Sequence, residues 1–323
     1  MVKSSFNELF QRHSTNPIIS IKDLPYDANT VFNAGAVKYN NEIILLMRVE
    51  DKRGISHFTL ARSKDGINNW HIDNQPTMIP RPDRYPEEIW GIEDPRITFL
   101  EKENLWAIIY IAYSKAGPLV SLACTKDFKH FQRYGIIMPP ENKDAAMFPI
   151  QFNNRWAILH RPVAKMPGTG AHIWIAFSPD LKHWGDHKLL IPARSGSWWD
   201  ANKIGLSPPP MKTDEGWLIL YHGVKTTASG IIYRLGLVLL DLKDPCNVIA
   251  RSDEWVFSPK ESYEIHGDVD KVVFPCGWVQ ESDNILLYYG CADSSIALAT
   301  ANLSELLEWL RRQNISSGDK LCM

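Results

Sequence analysis

The run Gly91-Ile92-Glu93-Asp94-Pro95-Arg96 gathers groups suited to proton transfer: two adjacent carboxylates, a stiff proline and a cation two residues beyond Asp94. Pro95 fixes its own φ and biases Asp94 toward extended backbone, so the carboxylate is expected at a rigid corner ahead of the apolar strand Ile97-Thr98-Phe99-Leu100. Gly91 permits a tight turn or a close approach by another segment. A fixed carboxyl beside a cation is what a general acid needs. An ordinary turn with a solvated acid and a surface ion pair explains the hexapeptide equally well, so the rest of the chain must decide.

Further polar residues stand against apolar strands, where packing alone would not choose them. These are Asn33, Arg48, Lys143-Asp144, Arg161, Asp200 with Asn202 and Lys203, His222 and Asp293. Singly, each has an ordinary explanation: a snorkelling cation, a hydrogen-bonded structural histidine, an aspartate capping a turn. If Arg48, Lys143, Arg161, Lys203 and His222 converged on one cavity they would repel strongly, since two charges about 4 Å apart interact by roughly 4 kcal/mol at an effective dielectric near 20. Glu93, Asp94, Asp144 and Asp200 are one means of neutralising them. A bound phosphate, met by forked arginines and point-charge lysines, is the other. The chain has no G-x-x-x-x-G-K-[ST] loop, no G-x-G-x-x-G after a strand, no H-E-x-x-H and no G-x-S-x-G elbow.

The elements that must position these groups read as short strands. Glu42–Val49, Trp106–Ala112, Trp156–His160, Ile173–Phe177, Trp217–His222, Gly236–Leu240 and Ile285–Tyr289 are apolar runs bounded by turn residues. Helical periodicity appears at the tail, where Leu303, Leu306, Leu307 and Leu310 share one face. A weak repeat, in which a strand enters a turn containing Asp or Asn, places residues 65, 127, 180, 241 and 302 at separations of 62, 53, 61 and 61. Four short strands fit in that period. Five copies predict an all-β fold, a five-bladed β-propeller with a short C-terminal helix, in which 1–323 forms a single catalytic domain.

Composition narrows the partners. A 45% hydrophobic, 22% charged chain of 323 residues with net charge −2 is that of a globular protein without general attraction to nucleic acid or anionic membranes. The first twenty residues contain no continuous apolar core, no stretch reaches membrane-span length, and five scattered cysteines suit reduced thiols. A cytoplasmic protein with no bound metal is expected. Trp70, Trp198 and Trp309 are expected to be exposed and available to a homo-oligomer interface.

Taken in order, several motifs resemble glycoside hydrolase family 130. They are Gly91–Arg96, Lys143–Pro149, His160-Arg161-Pro162, Trp199-Asp200 with Lys203-Ile204-Gly205, Tyr221-His222-Gly223-Val224, Gly267-Asp268-Val269 and Tyr288–Asp293. The resemblance runs from about Asn33 to Leu310 and implies a five-bladed propeller of β-mannoside phosphorylases or, in some branches, β-mannosidases. It implies that Asp94 is the general acid, acting through the mannose 3-hydroxyl. Asn33, Arg48 and Asp293 would hold sugar or phosphate near the reacting centre, with Glu93, Asp144 and Asp200 as further substrate contacts. Arg48, Lys143, Arg161, Lys203, His222 and Tyr233 would form the phosphate set, Lys143 standing where some members carry arginine. Ser207 stands where glycine is common, and Lys271 where asparagine is common.

The basic set favours inverting phosphorolysis of a β-mannoside oligosaccharide, with inorganic phosphate as co-substrate and no cofactor. Phosphate, already anionic, makes dispensable the second carboxylate that an inverting hydrolase needs. Asp94 must then be protonated with substrate bound, which calls for a raised pKa. The resemblance is nearest to members acting on β-1,2-mannobiose or short β-1,2-oligomannans. Alternatives are β-1,4-mannosyl-N-acetylglucosamine phosphorylases, a β-mannosidase, a three-carboxylate glycosidase using Glu93, Asp144 and Asp200, and a non-catalytic sugar-binding propeller. Loops Pro80–Ile89 and Ala164–Ala171 are expected to border the acceptor.

Overall fold

In the computed structural model the described residues are 8–164, 170–228 and 230–313. They build five antiparallel sheets, the blades of a propeller. Blade one runs Thr30–Tyr39, Glu42–Glu50, Ser56–Ser63 and His71–Ile72 from axis to rim. Blade two is Ile92–Leu100, Leu105–Ser114, Gly117–Thr125 and Phe131–Ile136. Blade three is Asn142–Phe152, Arg155–Pro162, Ile173–Ser178 and Gly185–Ile191. In blade four Lys203–Leu206, Trp217–Thr227, Gly230–Leu240 and Val248–Arg251 pair in turn, and Met211–Lys212 also pairs with the second strand. Blade five has Val273–Glu281, Asn284–Cys291 and Ser295–Asn302, and its rim comes from the other end of the chain: Gln11–Arg12 and Ile19–Ser20 both pair with Ser295–Asn302.

The strands expected from apolar runs are mostly second and third strands, buried on both faces between neighbouring blades. Asn40-Asn41 and Asn153-Asn154, all at positive φ, close the first hairpins of blades one and three, where two consecutive left-handed residues match the strand twist. The recurring aspartates are turn builders. Oδ1 of Asp65, Asp127, Asp180 and Asp241 each accepts two backbone N–H groups two and three residues on, at 2.8–3.0 Å. Asn302, the fifth copy, instead precedes helix Leu303–Arg311, whose Ser304 N–H is accepted by Asp283 at 2.9 Å.

Five apolar clusters fill the five blade junctions, with Leu46 and Ile108 between blades one and two, Ile109 and Ile158 between two and three, and Leu159 and Ile219 between three and four. Leu220 and Leu287 pack between four and five, and Leu45 and Tyr288 between five and one, so the ring is closed. An ion pair fastens that closure. Arg12 donates to both Glu264 oxygens at 2.7 and 2.9 Å and to the Ser258 carbonyl, while Tyr289 donates to the same fully buried Glu264. Leu303, Leu306, Leu307 and Leu310 of the terminal helix are buried as expected. Of the tryptophans expected outside, Trp198 is exposed, but Trp70 packs on Tyr288 and Trp309 lies partly buried against the blade-five core. Cys124, Cys246, Cys276 and Cys291 are buried, and Cys322 lies outside the described residues.

Candidate active site

Three inner strands share one distortion near their starts. Asn33, Asp94 and Asp144 have φ of 44°, 52° and 51°, each where pairing slips between residues 32 and 35, 93 and 96, or 143 and 146. Asn and Asp tolerate the left-handed region best among residues with a Cβ, and a bulge of this kind re-aims a side chain. The extended geometry expected at Asp94 from Pro95 is not adopted, because the bulge overrides the bias. Ile92–Arg96 also belongs to the inner strand itself and is not a turn ahead of it. Gly91 has the close approach expected of it: at φ 114° a Cβ there would meet the Ser56 nitrogen at 2.7 Å.

The re-aimed groups meet across blade boundaries. Asn33 donates to Asp94 Oδ1 at 2.9 Å and Arg48 donates to the same oxygen at 3.1 Å. Arg48 also reaches Glu93 at 3.0 Å and Ser56 Oγ at 2.9 Å, and its guanidinium lies over the Phe32 ring. Among the described residues no donor reaches the other Asp94 oxygen. Burial acts to raise the Asp94 pKa, but Arg48, Lys143 and Arg96 outweigh it and hold the carboxyl below its usual range in the free protein. The raised pKa was expected with substrate bound, and in the free protein the surrounding cations act the other way. Asp293 behaves oppositely: burial pushes it up to about 6, against the pull of Arg48.

Glu93 joins this cluster to a cavity of about 670 Å³ whose wall also contains Lys143, Asp144, Arg161, Lys203, His222, Tyr233 and Phe274. Residues from blades two to five are thus brought to one place. Asp144, almost fully buried, accepts from Arg161 Nε and from the same guanidinium's terminal nitrogen, both at 2.7 Å, and its other oxygen has no hydrogen bond among the described residues, with the Arg96 guanidinium 3.9 Å away. Against the cost of burial, Arg161 and His222 keep Asp144 well below its ordinary pKa. His222 is not the cation expected from the sequence. Burial brings it down to about 4, so at neutral pH its ring is uncharged, with Nε2 3.4 Å from Asp144 and Nδ1 3.4 Å from Ser207 Oγ. Gly205 makes room for this pair, since a Cβ there would collide with Asp144 Oδ2 and with the His222 ring.

Two cations in the wall have no acid of their own. Among the described residues no carboxylate lies within 4 Å of the Lys143 or Lys203 ammonium. Lys203 stands over the Tyr233 ring at 5.5 Å, and burial, Arg161 and Lys143 together lower its pKa. Burial likewise opposes the charge on Lys143, but Asp144, Asp94 and Glu93 raise its pKa. Burial raises the Tyr233 phenol.

Asp200 does not join the site. Fully buried and absent from the cavity wall, it accepts from Tyr221, Arg251 and Arg194 at 2.9, 2.8 and 3.2 Å and ties the outer part of blade four together. Two residues outside the expected site set brace it. Arg96, 1% exposed, crosses the axis to the carbonyls of Ser207 and Leu206 at 2.6 and 2.9 Å and touches the Asp94 carbonyl at 3.2 Å. An arginine inside an otherwise apolar inner strand was the available signal. Ser207, the residue standing where glycine is common, supports both Arg96 and His222. Lys271, standing in an asparagine position, is left-handed at φ 61°. Residues 165–169 of the second expected acceptor loop lie outside the described residues.

A family profile described as β-1,4-mannooligosaccharide phosphorylase matches residues 3–312. The chain belongs to glycoside hydrolase family 130. Among its relatives is a β-1,2-mannobiose phosphorylase of Listeria innocua, 34% identical over 93% of this chain and 98% of the relative. A 1,2-β-oligomannan phosphorylase of Thermoanaerobacter sp. is 36% identical over 92% of this chain and 98% of its own. The solved Listeria innocua β-1,2-mannobiose phosphorylase, in complex with β-1,2-mannobiose, superposes with a TM-score of 0.84 at 33% identity, covering 94% of this chain and 99% of that one. Among the described residues of this family 130 protein no helix is long and apolar enough to cross a membrane, and no group of side chains has the make-up of a metal site.

Proposed function

We propose that the protein is an inverting β-mannoside phosphorylase that cleaves β-1,2-mannobiose or short β-1,2-oligomannans with inorganic phosphate and releases α-D-mannose 1-phosphate. The observation that carries this reading is the pair of lysines, Lys143 and Lys203, facing one cavity with no carboxylate within 4 Å among the described residues, while Arg161 and Arg48 are already matched by Asp144, Glu93 and Asp94. A dianion among them offsets their mutual repulsion. A phosphate oxygen attacks the anomeric carbon of the mannosyl unit as the glycosidic bond breaks on the opposite face. Asp94 supplies the proton taken up by the departing oxygen, relayed through the mannose 3-hydroxyl. Asn33, Arg48 and Asp293 hold the mannosyl unit, and phosphate beside Lys143 offsets part of the positive charge that keeps Asp94 ionised, so that Asp94 can carry the proton it donates. The names of the relatives support the β-1,2 linkage.

Hydrolysis through a second carboxylate fits less well, since Asp144 and Asp200 are both tied to arginines. Phosphate is the co-substrate, with no resident cofactor. The whole chain serves as one catalytic propeller in the reducing cytoplasm, consistent with its buried thiols. Self-association through the face carrying exposed Trp198 belongs to the same reading. Turnover of β-1,2-mannobiose is measured with and without inorganic phosphate, and again for Asp94→Asn. Phosphate-dependent formation of mannose 1-phosphate, lost in the variant, is expected; equal rates without phosphate would replace phosphorolysis by hydrolysis.

A further inference from the structure

In-line displacement dictates where the leaving sugar must lie. With phosphate drawn to Lys143, Arg161 and Lys203 on blades three and four, the breaking bond points away from them, toward the proton donor Asp94 on blade two. The rim of blade two carries an aromatic pair at that place. Trp90 stands just before the inner strand and Tyr113 near the end of the second, with ring centroids 5.5 Å apart and planes inclined by 56°. Tyr113 lines the cavity that Glu93 also lines. Trp90 is 42% and Tyr113 38% exposed, so two large rings lie open side by side at the mouth.

The pair is held in place from below. Trp90 N–H donates to the Tyr113 carbonyl at 2.9 Å and Tyr113 N–H to the Gly91 carbonyl at 3.1 Å. Gly91 N–H in turn donates to the Glu88 carbonyl at 2.9 Å. The fully buried Glu88 carboxylate accepts from Tyr110 Oη and the Arg81 N–H, both at 2.8 Å, and from Arg133. The backbone that carries both rings is therefore fixed before any ligand arrives, which spares part of the ordering cost on binding.

We propose that Trp90 and Tyr113 form a stacking platform for the second acceptor sugar of β-mannosides longer than a disaccharide, so that this protein selects oligosaccharides over the disaccharide. The proposal rests on the phosphorylase reading of the same site. The first acceptor sugar departs on the side of Asp94, where Glu93, joined to Asp94 through Arg48, is the carboxylate that reaches the cavity wall. Trp90, outside the cavity wall and four residues before Asp94, meets the sugar beyond it. The C–H face of a pyranose is apolar and covers an aromatic ring, whereas its hydroxyls remain in water at the rim.

The test compares kcat/KM for β-1,2-mannobiose and β-1,2-mannotriose in the native protein, Trp90→Ala, Trp90→Phe and Tyr113→Ala. The native protein is expected to prefer the trisaccharide. Trp90→Ala should lower kcat/KM for the trisaccharide about tenfold more than for the disaccharide, Tyr113→Ala should act in the same direction, and Trp90→Phe should retain most of the preference. Equal losses for both sugars, or no native preference, would overturn the proposal. So would a Trp90→Ala variant whose sedimentation changes while its sugar preference does not, since the rings would then be a contact between copies. Calorimetric binding of the two sugars without phosphate gives the same comparison independently. A platform that survives there while phosphate dependence fails leaves the sugar site standing and removes only phosphorolysis.

Discussion

The Arg48 guanidinium lies 3.1 Å from Asp94 Oδ1, so in the free protein the proposed acid is held as a carboxylate. Lys143 and Arg96 add to that hold. An acid that must donate a proton is thus kept from carrying one until something offsets the surrounding positive charge. A phosphate beside Lys143 does so, and couples arrival of the nucleophile to loading of the acid.

This coupling has a pH signature. A group that must be protonated gives a rate that falls as pH rises through its pKa. At low phosphate, kcat/KM for the mannoside reports Asp94 under the full influence of Arg48 and Lys143, and the falling limb lies low. At saturating phosphate the limb is expected to move to higher pH, by about one unit. Rate profiles at the two phosphate concentrations, recorded from pH 4 to 8, check it, and a limb that stays in place would remove the coupling.

Lys203 has no carboxylate within 4 Å among the described residues, and burial, Arg161 and Lys143 lower its pKa. Lys203→Met is expected to raise the KM for phosphate by about 10- to 100-fold, the worth of one or two charge-assisted hydrogen bonds, with a smaller change in kcat. The lowered pKa means that the native ammonium loses its charge earlier than an ordinary lysine as pH rises. The native KM for phosphate should therefore climb at alkaline pH, and the variant should lack the share of that rise due to Lys203. Initial rates over a phosphate series at several pH values measure both.

Arg12 fastens the N-terminal strand to blade five through Glu264, which has no exposure. Arg12→Ala leaves that carboxylate buried without its cation and should cost about 3–5 kcal/mol of stability. Arg12→Met with Glu264→Gln should recover part of the loss, because the fully buried position 264 then carries no charge, although the partly exposed Glu8 still loses its partner. Denaturant midpoints of the three proteins decide, and a single variant as stable as the native chain would show that the ring does not depend on this latch.

Much of this architecture was legible before folding. Second and third strands are buried on both faces and therefore appear as continuous apolar runs such as Trp217–Leu220. The turn aspartates recur because blades one to four each need the same two backbone N–H groups satisfied at the same corner. The rim of blade five was not legible, since nothing local in Gln11–Arg12 or Ile19–Ser20 marks them as partners of a strand near residue 300. At the site, the candidates Arg161, Lys203, His222 and Tyr233 were readable as polar residues on apolar strands, and they share one cavity wall. Asp200 looked the same in sequence but turns into blade four, where Tyr221 of the second strand and Arg251 of the fourth both donate to it.

Residue types and their order determined the five blades, the family and the groups that can donate protons or hold an anion, since these depend on local pattern and side-chain chemistry. Tertiary structure alone decided which charges are matched and which are left over. Asp144 is spent on Arg161, Asp94 is restrained by Arg48, and His222 is stripped of its charge by burial, while among the described residues no carboxylate comes within 4 Å of Lys143 or Lys203. The physical reason is that charge balance and desolvation depend on distances between residues tens to hundreds of positions apart, which exist only once the ring has closed.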